Sequence, residues 1–280
     1  MIHINDLENF EEENELRKEI EKRIEAHNDG TIVDFEGLTP VQMQTLHYDF
    51  PNIEDPIKIH RLSENQLKEC PLLMQVRYLI NKMQEEETIK LTSTGAITTD
   101  LVKEIYGLGL LKSELIELGY KLYKESNAPS VSITRILLQL SSLAKKRKNT
   151  LSLTKKGKEL ADDSNAVLKE ILSVLFHKFN WGYFDGFKSE NIGKINPAYS
   201  MYLLKKYGGE KRDAQFYADR YFMAFPHLIT EDLNPYKCYT VRTFERYFRY
   251  LGFVEVDEND FLDPLSVKKT SFFDALFSIE

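Results

Sequence analysis

A chain of 280 residues, 42% hydrophobic and 29% charged, can bury one large core or two to three small ones, and this composition excludes a disordered or collagen-like protein. Its two cysteines, Cys70 and Cys238, lie far apart and outside any CxxC context, which excludes a disulfide framework and a zinc ribbon and predicts two reduced thiols in or near a core. No apolar run reaches the roughly 18 residues of a membrane span, and the start MIHINDLENFEEENE is acidic where a signal peptide is basic and then apolar, so a soluble cytoplasmic protein with no membrane partner is expected.

The formal net charge of −7 hides an asymmetry. Residues 1–70 hold 7 Lys and Arg against 17 Asp and Glu, whereas the remainder holds 30 against 27. The acidity belongs to the N-terminal quarter, so the whole-chain charge does not exclude a polyanion partner elsewhere.

In chain order, Asp6 is placed to cap a helix running to about His27, with Leu7, Phe10, Leu16, Ile20 and Ile24 in rough helical spacing. Thr39, Pro40 and Gln42 form a capping box with proline at the first helical position. Ile57 and Ile59 alternate with charged residues as in a strand, and Ser63 with Gln66 opens another helix. From Pro71 to about Glu86 the set Leu72, Leu73, Val76, Leu79, Ile80 and Met83 keeps a period near 3.6, which predicts a helix with one buried face. A short strand at Ile89–Thr92, a helix from Leu101 to Leu108 and a helix from Ser113 to Glu125 are expected next.

The stretch Ser132 to Leu160 organises the middle of the chain. Ile133, Ile136, Leu137, Leu140 and Leu143 share a helical face, leaving Thr134, Arg135, Gln139, Ser141 and Ser142 expected at the surface. A hairpin follows, with strands Lys145–Lys148 and Leu151–Thr154 about a turn at Asn149 and Thr150, and then a helix from Thr154 to about Phe179. Aligning Thr92 with Thr154 superposes Ile89–Gly95 on Leu151–Gly157 as an imperfect repeat.

The C-terminal part is rich in aromatic residues, with helices expected from Asn196 to Gly208, from Asp213 to Phe225 and from a Thr240 cap to Gly252. Strands at 253–256 and 266–270 flank the loop 257–265, and a short helix carries Phe272, Phe273, Leu276 and Phe277. Three regions result: an acidic helical segment 1–70, a unit 71–180 and an aromatic-rich unit 181–280. The class is mainly α with short β-hairpins.

The helix, hairpin and following helix of Ser132 to Leu160 resemble the recognition helix, wing and next helix of winged helix-turn-helix proteins, and Thr240 to Thr270 is similar in pattern. Tandem winged-helix-like units are therefore expected. The chain also resembles uncharacterised bacterial proteins, some plasmid-borne, with LTPxQM and KLTxxG blocks, here Leu38–Met43 and Lys90–Gly95. The winged-helix resemblance implies a third helix in the DNA major groove, with Thr134, Arg135 and Gln139 reading bases, and a wing on the phosphate backbone. Lys145, Lys146, Arg147, Lys148, Lys155, Lys156 and Lys158 supply the positive charge, with no acidic residue among them. The acidic segment Asp6–Glu25 is then expected to fold over this wing and mask it.

Other readings stand beside this one. A lysine-rich hairpin is also a solvated turn protected from edge pairing, and winged-helix surfaces also serve protein–protein adaptors. Arg242, Arg246 and Arg249 recur at helical spacing, which suits a phosphate-contacting ridge or, with Glu245 beside them, surface ion pairs. The aromatic residues suit base stacking or, following helical spacing at Tyr217, Tyr221 and Phe225, a core. His3, His27, His47, His60, His177 and His227 are scattered, and phosphate-loop, dinucleotide and GxSxG motifs are missing. The expectation is a non-catalytic, regulatory double-stranded DNA-binding protein, or alternatively an adaptor, with no cofactor, no metal and no catalytic residue.

Overall fold

The structure, a computed structural model, describes residues 15–24, 28–112, 116, 119–122, 124–257 and 265–279. Residues 15–24 are helical (α1), and every one of them is exposed. The rest of the expected first helix lies outside the described residues, and so do most of residues 113–118 and the loop 258–264. Of the segment Asp6–Glu25 expected to mask the wing, residues 6–14 and Glu25 lie outside the described residues, and α1 itself is not acidic, with Glu15, Glu19 and Glu21 against Arg17, Lys18, Lys22 and Arg23.

The capping boxes form as their sequences dictate. Thr39 Oγ1 accepts from the Gln42 N–H at 3.1 Å and Gln42 Oε1 accepts from the Thr39 N–H at 3.0 Å, starting α2 (Pro40–Tyr48). Ser63 and Gln66 start α3 (Glu64–Leu67) in the same way. Strand β1 (Ile57–Ile59) pairs antiparallel with the last strand, β8 (Phe277–Ile279), Ile57 opposite Ile279. Helix α2 packs on α9 (Pro197–Tyr207), so residues 28–70 are joined to the C-terminal region as well as to the middle of the chain.

The middle of the chain runs α4 (Pro71–Glu85), β2 (Ile89–Lys90), α5 (Thr99–Gly107), α6 (Pro129–Leu140), β3 (Ala144–Arg147) and β4 (Thr150–Leu153). The sheet order is β2-β4-β3, so the first strand lies beside the last. Helix α4 buries Leu72, Leu73, Val76, Leu79, Ile80 and Met83, the face its periodicity predicts. The expected helix 113–125 does not extend to its described end: residues 119–122 are non-helical and Glu125–Asn127 form a 3-10 turn. The single helix expected from Thr154 to Phe179 is two, α7 (Lys155–Leu160) and α8 (Ser164–His177), because the Asp163 carboxylate accepts from the Ala166 N–H at 3.1 Å and starts a new helix there.

The C-terminal region repeats this order with different letters. Helix α9 is followed by β5 (Arg212–Asp213), α10 (Ala214–Ala224), α11 (Pro235–Thr240), a π-helical stretch Val241–Phe248, β6 (Val254–Val256) and β7 (Ser266–Lys269). Its sheet order is β5-β7-β6, again with the first strand beside the last. Thr240 is not a cap, since its φ of −65° and ψ of −43° are helical and α11 begins at Pro235.

Registers and caps place the two halves position by position. Ser142, at φ 59°, and Gly252, at φ 73°, each end the third helix in the left-handed region. The Thr154 N–H donates to Leu143 O and the Thr270 N–H to Phe253 O, both at 3.0 Å. Thr154 Oγ1 then accepts from the Gly157 N–H at 3.0 Å, and Thr270 Oγ1 from the Phe273 N–H at 3.1 Å, to start α7 and α12 (Ser271–Leu276). Thr154 is thus the counterpart of Thr270 and not of Thr92. The Thr92 alignment fails because β2 and β4 are neighbours in one sheet rather than copies of one position.

One hydrophobic core joins the middle and C-terminal parts of the chain, from Leu38 to Phe277, and leaves α1 outside it. Trp181, Tyr199, Tyr217, Tyr221, Tyr239 and Tyr247 are fully buried, so these aromatic rings build the core and are not presented for base stacking. Both cysteines are free and buried, and burial pushes each thiol up to about 12. Among the described residues no helix is long and apolar enough to cross a membrane.

Candidate nucleic-acid interface

The basic hairpin turns one residue earlier than its letters suggest. Arg147 faces Thr150 across the ladder, so the two-residue turn is Lys148–Asn149, with Lys148 at φ 54°. Thr150 Oγ1 donates to Arg147 O at 2.9 Å, and the Leu91 N–H donates to Asn149 O at 2.8 Å, which pins the tip to the strand before it.

Alternation then sorts the side chains. Ala144, Leu151, Leu153 and Ile89 are buried on the core face, which leaves Lys145, Arg147, Thr150, Ser152 and Lys90 on the outer face. Lys145 and Arg147 stand two residues apart on β3, about 7 Å, and Lys90 lies two strands away, about 10 Å. Lys148 projects from the turn. Among the described residues, none of Lys90, Lys145, Arg147 and Lys148 forms an ion pair with a carboxylate. Lys146 is exposed too, but it lies against Gly95, where a β-carbon would collide with its ammonium group.

The other expected cations divide. Lys155 and Lys158 are exposed, Lys155 with Glu159 at 3.9 Å. Lys156 is engaged within the protein surface, pairing with Glu170 at 2.6 Å and donating to Ser141 O at 3.2 Å. The sequence reading missed Lys90, which only the β2–β4 pairing brings to this face.

The three expected base-reading residues are not presented. Thr134 is 0% exposed, its Oγ1 donating to Gln75 Oε1 at 3.0 Å or to Ser130 O at 2.9 Å inside the α4–α6 contact. Arg135 Nε donates to Glu125 Oε1 at 2.8 Å, a carboxylate 3% exposed, and is held there. Gln139 is half-buried, its Nε2 donating to Arg135 O at 3.3 Å. Ser141 is buried as well, while Leu140, expected in the core, is exposed. The helix is turned from its expected orientation because α4, α5, α8 and β3 all pack on it. Its hydroxyl groups find protein acceptors there and do not need water.

The arginines of the C-terminal region are not a surface ridge. Arg242 is fully buried, its Nε and Nη2 donating to the two Asp185 oxygens at 2.8 and 2.9 Å and its Nη1 to Ile192 O at 2.9 Å. Arg246 Nη1 donates to the same carboxylate at 3.2 Å. These contacts fasten the π-helical stretch to the loop after Trp181, and Arg242 has no donor face turned to solvent. Among the described residues no group of three or more His, Cys, Asp or Glu could hold a metal ion.

The middle of the chain, which holds this basic face, has a match among protein families. Residues 68–166 match the family model of the Y4jL N-terminal domain. The matched segment opens just before α4 and closes as α8 begins, so it contains both the basic sheet and α6. No curated protein and no solved structure matches the chain.

Proposed function

We propose that the protein is a non-catalytic DNA-binding protein, regulatory in kind, that holds duplex phosphates with the outer face of the sheet β2-β4-β3. The observation that carries this reading is the cluster of Lys90, Lys145 and Arg147 on one sheet face with Lys148 at its tip, all exposed and without carboxylate partners among the described residues. The order helix, strand, helix, helix, strand, strand, with the first strand beside the last, supports reading both halves as winged-helix-like units. Because Thr134 and Arg135 are engaged inside the protein, the wing supplies the contacts and the third helix reads no bases. Binding is then driven by counterion release and is weakly selective for sequence. A mobility-shift titration of a short duplex tests this: Lys90→Ala, Lys145→Ala and Arg147→Ala combined abolish the shift at moderate salt, and an unchanged shift contradicts the reading.

One observation favours a second reading, a protein–protein adaptor on winged-helix folds. Leu16, Ile20 and Ile24 line one side of α1 and are 61%, 47% and 53% exposed, an apolar stripe of the kind that pairs with another protein. Co-purification with a stoichiometric partner that is lost on Ile20→Asp supports the adaptor, and retention of that partner by the variant removes this stripe from consideration.

A further inference from the structure

The counterpart of the basic sheet carries the opposite charge. The pairing of Ile89 with Leu151 corresponds to that of Arg212 with Val267, and the pairing of Lys145 with Ser152 to that of Glu255 with Lys268. By this register Lys90 corresponds to Asp213, Lys145 to Glu255 and Arg147 to Asp257, whose N–H donates to Ser266 O at 3.2 Å. Val254 and Val267 are buried on the core face of that sheet, which leaves Asp213, Glu255 and Asp257 on the outer face. Three cations on one scaffold are replaced by three carboxylates on the other.

We propose that the acidic outer face of β5-β7-β6 is a docking surface for the basic outer face of β2-β4-β3 of a second copy of this chain. Charge complementarity carries the choice of occupant, because the two faces present opposite charges at the same three positions of one backbone arrangement. Among the described residues no ion pair joins the two faces within one chain. Lys211, paired with Asp257, and Lys268, opposite Glu255, moderate the acidic face, and Glu210, 3.9 Å from Arg212, adds a further carboxylate at its edge. A cavity of ≈450 Å³ lined by Gly209, Glu210, Lys211, Glu255, Asp257 and Lys268, three carboxylates against two lysines, gives an incoming lysine or arginine side chain a seat beside Glu210 and Glu255. The contact joins two different patches, so each copy keeps one face free and assembly proceeds head to tail. The inference stands apart from duplex binding: a polyanion competes for the basic face only, and the acidic face serves self-association alone.

Sedimentation velocity of the full chain at about 50 μM, in about 50 mM and about 500 mM NaCl, tests it. At low salt the mean mass is expected to rise to about twice the 32.7 kDa chain or more, and at high salt to return to the single chain. Glu255→Lys with Asp257→Lys, and separately Lys145→Glu with Arg147→Glu, each keep the chain single at low salt, with circular dichroism confirming that both variants fold. Mixed in equal amounts the two variants associate again, because one carries two basic faces and the other two acidic ones. Glu255→Gln with Asp257→Asn, which adds no cation, also keeps the chain single and still shifts duplex DNA, so a failure of self-association and a failure of DNA binding are told apart. A wild-type chain that stays single at low salt overturns the proposal, as does a mixture that stays single while the wild type associates.

Discussion

Arg135 Nε donates to Glu125 Oε1 at 2.8 Å, while Glu125 Oε2 accepts from the Ile97 N–H at 2.6 Å, so one buried carboxylate ties α6 to the loop before α5. Removing the arginine leaves a carboxylate 3% exposed without its partner, and removing the carboxylate leaves a guanidinium only 18% exposed without its own. Arg135→Ala and Glu125→Ala are each expected to cost about 3 kcal/mol of stability, read from urea denaturation. Arg135→Ala leaves duplex affinity, measured under conditions where it is folded, within about twofold of wild type, since the side chain does not reach the outer face.

The threonines that close the two hairpins make paired predictions. Thr154 Oγ1 accepts from the Gly157 N–H and reaches Ser142 O at 2.6 Å, while Thr270 Oγ1 accepts from the Phe273 N–H and donates to Gly252 O at 2.7 Å. Each links a helix start to the turn ending the third helix. Thr154→Val and Thr270→Val are expected to lose about 1–2 kcal/mol each and the serine variants much less, as thermal unfolding would show.

Gly157 lies on α7 directly beneath the hairpin base, where a β-carbon would overlap the Leu143 carbonyl oxygen. The overlap is with backbone, which cannot swing aside as a side chain would. Gly157→Ala should therefore cost about 2–3 kcal/mol in chemical denaturation and loosen the hairpin, visible as faster amide exchange at Leu151 and Leu153.

His47 gives a pH signature. Burial, and then the neighbouring His177, hold its pKa below the ordinary histidine value, and its Nδ1 is buried without a hydrogen-bond partner. In the unfolded chain His47 takes up a proton near pH 6.5, which the folded chain resists. Its contribution to stability is therefore full above that value and declines as pH falls below it. His47→Phe should flatten the stability profile between about pH 7 and 5, and an unchanged profile would show that His47 does not set it.

Much of the fold is legible in the letters, and what is not has identifiable causes. The capping boxes at Thr39 and Ser63, the buried face of α4 and the cluster of Phe244, Tyr247, Phe248 and Leu251 follow from local rules that tertiary contacts leave intact. The orientation of α6 does not, because Thr134 and Ser141 count as surface residues in a periodicity argument yet bury once Gln75 Oε1, Ser130 O and Leu138 O accept their hydroxyl groups. Phe277 was expected on a helix but lies on β8, which takes its form from pairing with β1 over 200 residues away in sequence. The basic cluster itself was legible from Lys145 to Lys148, whereas Lys90 joins it only through strand pairing. The counterpart of this face at Asp213, Glu255 and Asp257 was hidden because equivalent positions carry inverted charges across loops of different length.

The central claim, that the outer face of β2-β4-β3 holds duplex phosphates without reading bases, is tested most directly by fluorescence anisotropy of a labelled duplex over about 50–300 mM salt. Log affinity should fall against log salt with a slope of about −3 to −5, and a scrambled duplex should bind within about threefold. Replacing Lys90, Lys145 and Arg147 by alanine should lower the magnitude of that slope by about 3. No binding at about 50 mM salt, or binding whose slope the triple variant leaves unchanged, would contradict it.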